Sequence, residues 1–114
     1  MQDDGENAFS KDHIRPLVIR SLRRSSIRKK IAEYLLDISP SGSYTSEIAY
    51  NIKTTPTNVL GAIKGMGDRY KVEESLIGLN LVEQVKNNKD VKIYKLTDFG
   101  KEVIQSLNKY QIKI

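Results

Sequence analysis

The stretch Tyr44–Ile63, YTSEIAYNIKTTPTNVLGAI, constrains this chain more than any other, because it specifies two short helices and the tight turn that joins them. Ile48, Ala49 and Ile52 recur at helical spacing behind Thr45 and Ser46, whose hydroxyls suit a capping position. Lys53 and Thr54 then form the turn. Thr55 followed by Pro56 restarts the helix, since a hydroxyl accepts from free N–H groups and proline's fixed φ suits the first helical position. In the second helix Val59 and Ile63 lie four apart on the inner side. Thr57, Asn58, Gly61 and Lys64 are expected on the outer side.

Small polar residues on an outer face suit a nucleic-acid groove, and the charge agrees. The formal net charge is +5 and the pI about 9.4, which favours a polyanionic partner. Between His13 and Lys30 stand Arg15, Arg20, Arg23, Arg24, Arg28, Lys29 and Lys30 with no acid among them, while Asp3, Asp4, Glu6 and Asp12 come just before. At 114 residues with 39% apolar side chains, the chain fits one domain. It has no cysteine, which removes disulfides, thiolate metal sites and cysteine nucleophiles. The opening MQDDGENAFSKD lacks the basic-then-apolar order of a signal peptide, and no apolar run reaches membrane-spanning length, so the expectation is a soluble cytoplasmic protein with no membrane partner.

Catalysis finds no support. His13 is the single histidine. Glu73, Glu74, Asp98 and Glu102 have no nucleophile, metal-ligand partner or phosphate loop at the required spacing, and Gly65-Met66-Gly67 is not a P-loop. Neither a cofactor nor a metal is expected, and the chain is not read as an enzyme. The six tyrosines scatter over different elements instead of forming a stacking platform for single strands.

Before the central stretch, residues 1–12 read as a flexible acidic tail with too little apolar surface to offset ordering. Leu17, Val18, Ile19 and Leu22 mark a short helix, with Pro16 in its first turn and its end near Arg23-Arg24. Ser25 or Ser26 caps a clearer helix in which Ile27, Ile31, Leu35 and Ile38 form a stripe that Pro40 and Gly42 stop. Arg28, Lys29, Lys30 and Glu33 are expected on its outer side. After the central stretch, Gly65 and Gly67 break the helix, and Asp68 is expected to cap a further helix with Val72, Leu76 and Leu79 inward and Asn80 at its left-handed end. From Leu81 to Leu96 the period becomes two. Val85 faces Val91 and Ile93 across Asn87-Asn88-Lys89-Asp90, a hairpin with Lys86, Lys89 and Lys92 near its tip. Thr97 caps a last helix whose stripe of Phe99, Val103 and Leu107 is expected to run on to Tyr110 and Ile114.

The order TSEIAYNI, TTPTNVLGAI, LNLVEQV with a basic hairpin, then YKLTDFGKEVI resembles a winged helix-turn-helix domain, from about Ser26 to Leu107. Leu96-Thr97-x-x-Gly100 resembles the junction common among prokaryotic winged-helix regulators, and Leu81-Val82 resembles the usual start of the wing. Asn80 stands where glycine normally precedes that pair, and the segment from Gly65 to Glu74 is longer than usual. TPTNVLGAI with GDRY and SLIGLNLVE is similar to small archaeal winged-helix transcription regulators and, more narrowly, to the regulators of archaellum operons in methanogens.

The resemblance implies a mainly α fold with a small antiparallel hairpin, occupying residues 13–107 with 108–114 as an extension or tail. It further implies sequence-specific binding of double-stranded DNA and regulation of transcription. The second helix would lie in the major groove and the hairpin on the adjacent backbone or minor groove. Thr57, Asn58, Gly61 and Lys64 are then the base-contact candidates, Asn58 through bidentate bonds to adenine. For Gly61, helix packing is the plainer reading. Thr45, Ser46, Thr55, Arg28, Lys86, Lys89 and Lys92 are the phosphate candidates. A homodimer is expected through Phe99, Val103, Leu107, Tyr110 and Ile114, with transcription machinery as a further partner. Two rivals stay open: a winged helix serving as a protein-interaction module in a transcription or replication assembly, and a basic RNA- or ribosome-associated protein that holds an A-form helix by shape.

Overall fold

A computed structural model describes residues 16–67 and 71–114. Helix α1 covers residues 16–24 and is followed by α2 (Ser26–Ile38), α3 (Thr45–Ile52) and α4 (Pro56–Lys64). A 3-10 turn (Val72–Glu74) leads to strands β1 (Val82–Lys86) and β2 (Lys92–Leu96), and α5 (Asp98–Lys109) ends the order. The strands pair antiparallel with Val82 opposite Leu96, Gln84 opposite Tyr94 and Lys86 opposite Lys92. Ser43 adds a one-residue bridge to Tyr94, so the hairpin is stitched to the chain just before α3.

One core joins these pieces. Val18 and Leu22 from α1, Ile31 and Leu35 from α2, Ile48 from α3, Val59 and Ile63 from α4, and Ile104 and Leu107 from α5 are all buried. Local chemistry sets most element ends. Ser25 accepts from the Arg28 N–H at 3.2 Å and so caps α2. Thr97 accepts from the Gly100 N–H at 2.8 Å to start α5. Gly100 is buried, and a Cβ there would collide with the Leu81 carbonyl, which is the packing reason for glycine at that junction.

Two expectations fail for identifiable reasons. The helix foreseen over Val72, Leu76 and Leu79 is a 3-10 turn followed by further turns, and Val72 is exposed. Its donors have gone elsewhere: the N–H groups of Leu76 and Ile77 donate to the carbonyls of Ala62 and Ile63, at 3.1 and 2.9 Å. The last turn of α4 would otherwise leave those acceptors unmatched. Ser75 Oγ accepts from the Gly78 N–H at 2.9 Å, tightening the turn. Asn80 does adopt the left-handed conformation, with φ 61°. The cap expected at Asp68 lies outside the described residues.

The last helix stops at Lys109, so Tyr110 and Ile114 do not extend its stripe. Gln111 turns the chain back with φ 55°, the Ile112 N–H donates to the Leu107 carbonyl at 2.9 Å, and Ile112 and Ile114 pack on the core. Arg23 of α1 holds this end by donating from Nε to the Lys113 carbonyl at 2.9 Å.

Candidate nucleic-acid interface

The two helices of the central stretch form as expected, with one change of cap. Tyr44, not Thr45 or Ser46, is the N-cap of α3 and makes no side-chain capping bond, while Thr45 and Ser46 occupy the first turn. Order at that end comes from Ser43 Oγ, which donates to Glu47 Oε1 at 2.5 Å. Lys53 ends α3 in the left-handed conformation, φ 62°, and its N–H bonds back to Ala49 and Tyr50. Thr55 then accepts from the Asn58 N–H at 3.2 Å, with Pro56 in the first turn of α4. This leaves Thr55, Pro56 and Thr57 exposed at the leading end of α4.

Further along α4 the outer side is less open than the spacing indicates. Asn58 is half-buried, and its Nδ2 donates to Thr54 Oγ1 at 3.0 Å. Gly61 is buried, so it lies inside the molecule and does not face a groove. Lys64 is half-buried, with Nζ 5.9 Å from the centre of the Tyr94 ring. A cation over a ring at that range gains about 0.5–1 kcal/mol.

The hairpin is built by its own turn. Asn87 Oδ1 accepts from the N–H groups of Lys89 and Val91, at 2.8 and 2.9 Å, and Asp90 takes φ 64°. Val85 pairs with Ile93, while Val91 lies just outside the strand. Residues directly opposite in the ladder share a face. One face therefore runs from buried Val82 and Leu96, through Gln84 and Tyr94, to exposed Lys86 and Lys92. Lys89 is exposed in the turn, and Lys86 pairs with Asp90 at 3.3 Å. Two ties fix this hairpin to the helices: the Ser43–Tyr94 bridge, and Asn87 Nδ2 donating to Tyr44 Oη at 3.2 Å. The start of α3, the end of α4 and the wing are thus held as one group. Burial raises the pKa of the Tyr94 hydroxyl above its ordinary value, against a smaller lowering by Lys92, so the phenol stays protonated near neutral pH.

Two groups of expected contacts need correction. Arg28 does not point outward: it is 5% exposed, donates from Nη1 to the Ser21 carbonyl and Ser21 Oγ at 3.0 Å, and lies 3.5 Å from Glu74 Oε1. Arg24 reaches the other oxygen of Glu74 at 2.9 Å. The fork is a strut between α1, α2 and the 3-10 turn. Val103 and Leu107 are core residues and cannot form a dimer contact, because α5 turns its stripe onto its own chain. Phe99 and Ile114 pack partly on the same core, leaving Tyr110 exposed. Sequence reasoning also passed over Tyr94 and Gln84, whose meeting across the hairpin only the ladder register shows.

A family model described as EarA-like matches residues 18–107. The chain belongs to the EarA-like family. An archaeal relative, uncharacterized protein MJ0905 of Methanocaldococcus jannaschii, is 50% identical to this EarA-like chain over 94 residues, covering 82% of the chain and 84% of the relative. Among solved structures the EarA-like chain is similar to MepR of Staphylococcus aureus, a transcription regulator of the multidrug efflux pump MepA. That likeness has a TM-score of 0.61 at 14% identity over 88% of this chain and 69% of the other. MepR in complex with DNA gives 0.60 at 15% identity over 95% and 77%. ZitR of Lactococcus lactis, as an apo double mutant, gives 0.57 at 17% identity over 96% and 70%. These likenesses establish a winged-helix fold for the EarA-like chain. Among the described residues, no helix is long and apolar enough to cross a membrane.

Proposed function

We propose that this chain binds duplex DNA sequence-specifically through α4 and the wing and regulates transcription. The observation that carries the reading is that α4 leaves Thr55, Pro56 and Thr57 exposed at its leading end, while its last residue, Lys64, and the start of α3 are tied through Tyr94 and Tyr44 to the lysine-bearing hairpin, in a chain of net charge +5. In this reading Thr57 meets base edges first, and Asn58 and Lys64 follow. Lys89 and Lys92 meet phosphates, with Lys86 sharing its charge with Asp90, and Thr45, Ser46 and Thr55 line the backbone beside them. MepR has been solved with DNA, which supports the choice of duplex over RNA.

Pairing of two copies belongs to the proposal, since one helix reads only a few base pairs and symmetric half-sites multiply affinity. With Val103 and Leu107 inside and Phe99 and Ile114 packed partly on the core, exposed Tyr110 is the dimer contact of that stripe that remains. Archaellum operons as the regulated genes rest on the sequence resemblance alone, as does an engagement with transcription machinery. The reading gives the chain no catalytic role and a place in the cytoplasm. Selection of bound duplexes from a random pool tests it. Enrichment of one motif, palindromic if two copies bind, is the expected result; retention without enrichment, or preference for RNA, overturns it.

A further inference from the structure

We infer that Tyr94 is a positioning residue which makes Gln84 a further duplex contact on the wing. Tyr94 is 1% exposed, and its N–H and C=O are both bonded to Ser43 at 2.9 Å, which ties its backbone to the chain just before α3. Its hydroxyl donates to Gln84 Oε1 at 3.2 Å. Gln84 is exposed and lies on the ladder face shared with Lys86 and Lys92. Lys64 from the end of α4 leans over the same ring at 5.9 Å.

The buried phenol therefore connects an amide on β1 with an ammonium on α4. Because Oε1 is occupied by the hydroxyl, Gln84 offers its NH2 donors, which suit a phosphate oxygen or a base-edge acceptor in the groove. A glutamine is a flexible side chain that loses rotamer freedom on binding. Holding it beforehand removes part of that loss.

This inference rests on the duplex-binding reading, and its test separates the two. Affinity for the selected duplex is measured for the wild-type chain, Gln84→Ala, Tyr94→Phe and the double variant, with thermal melts alongside. Phenylalanine keeps the ring under Lys64 and the core packing but removes the donor. The expected result is a three- to tenfold loss for each single variant and no further loss in the double. A purely structural Tyr94 would lower the melting temperature and leave Gln84→Ala binding like wild type. That outcome, or losses that multiply in the double variant, overturns the inference. Absence of salt-dependent duplex binding by the wild-type chain would instead overturn the function on which it rests.

Discussion

Arg28 in α2 and Lys92 in β2 carry the same charge within one small molecule, and their surroundings differ in every respect that matters for a polyanion. Arg28 is buried, its guanidinium shared among Ser21 and Glu74. Lys92 is exposed on the face of the wing that also carries Lys86. A planar fork with several donors suits a crowded corner, whereas a hydrated ammonium on a flexible stem suits an outer strand. A member of a basic run is therefore not always a surface residue: Arg20, Arg23, Arg24 and Lys30 are exposed, and Arg28 is not. Arg28 is enclosed beside Glu74, while Arg24, paired with the same carboxylate, keeps its side chain exposed.

The largest expected effect would sharpen this contrast. Arg28→Ala removes one member of a buried pair and is expected to cost about 3 kcal/mol of stability in urea denaturation. A loss under about 1 kcal/mol would return Arg28 to the surface class. Next comes the reading face of α4. Asn58→Ala should lower discrimination between selected and random duplex by about 1–3 kcal/mol. Equal losses on both duplexes would instead make its bond to Thr54 its whole role. Smaller again, Lys89→Ala should leave stability unchanged and flatten the dependence of log affinity on log salt by about 0.9, one phosphate contact. An unchanged slope would show that this exposed cation is as remote from DNA as Arg28.

What was legible in the sequence follows the same division. The caps at Ser25, Thr55 and Thr97 are local hydrogen bonds three residues long, and the Asn87 turn is likewise self-contained, so residue type and spacing announce them. The hairpin and the turn between α3 and α4 were readable for this reason. The failures at Arg28, Val72 and the last helix depend on partners distant in the chain. The helical spacing points Arg28 outward because nothing nearby in the chain marks Glu74 as its partner. The stripe of Val72, Leu76 and Leu79 has helical spacing, yet the carbonyls ending α4 take the N–H groups that a helix would need. Val103 and Leu107 had the apolar spacing of a dimer seam, and the same spacing serves a core. Gly61 has no side chain whose character could show on which side it falls.

The smallest predicted effect bears on Tyr94, which belongs to neither class: a buried ring whose far end touches exposed groups. Burial raises its pKa above the ordinary 10.0, with Lys92 opposing. The folded state thus holds the phenolic proton more tightly than the unfolded chain does. The sign follows from linkage: above about pH 10 the unfolded chain begins to lose that proton first, so stability is complete below this point and falls as pH rises through the folded value. Tyr94→Phe has no such proton. Its stability is expected to decline less steeply than that of the wild-type chain as pH rises above about 10. Parallel curves would mean that the hydroxyl is solvated, like Lys92 beside it, and that the wing's inner face is wet as far in as Tyr94.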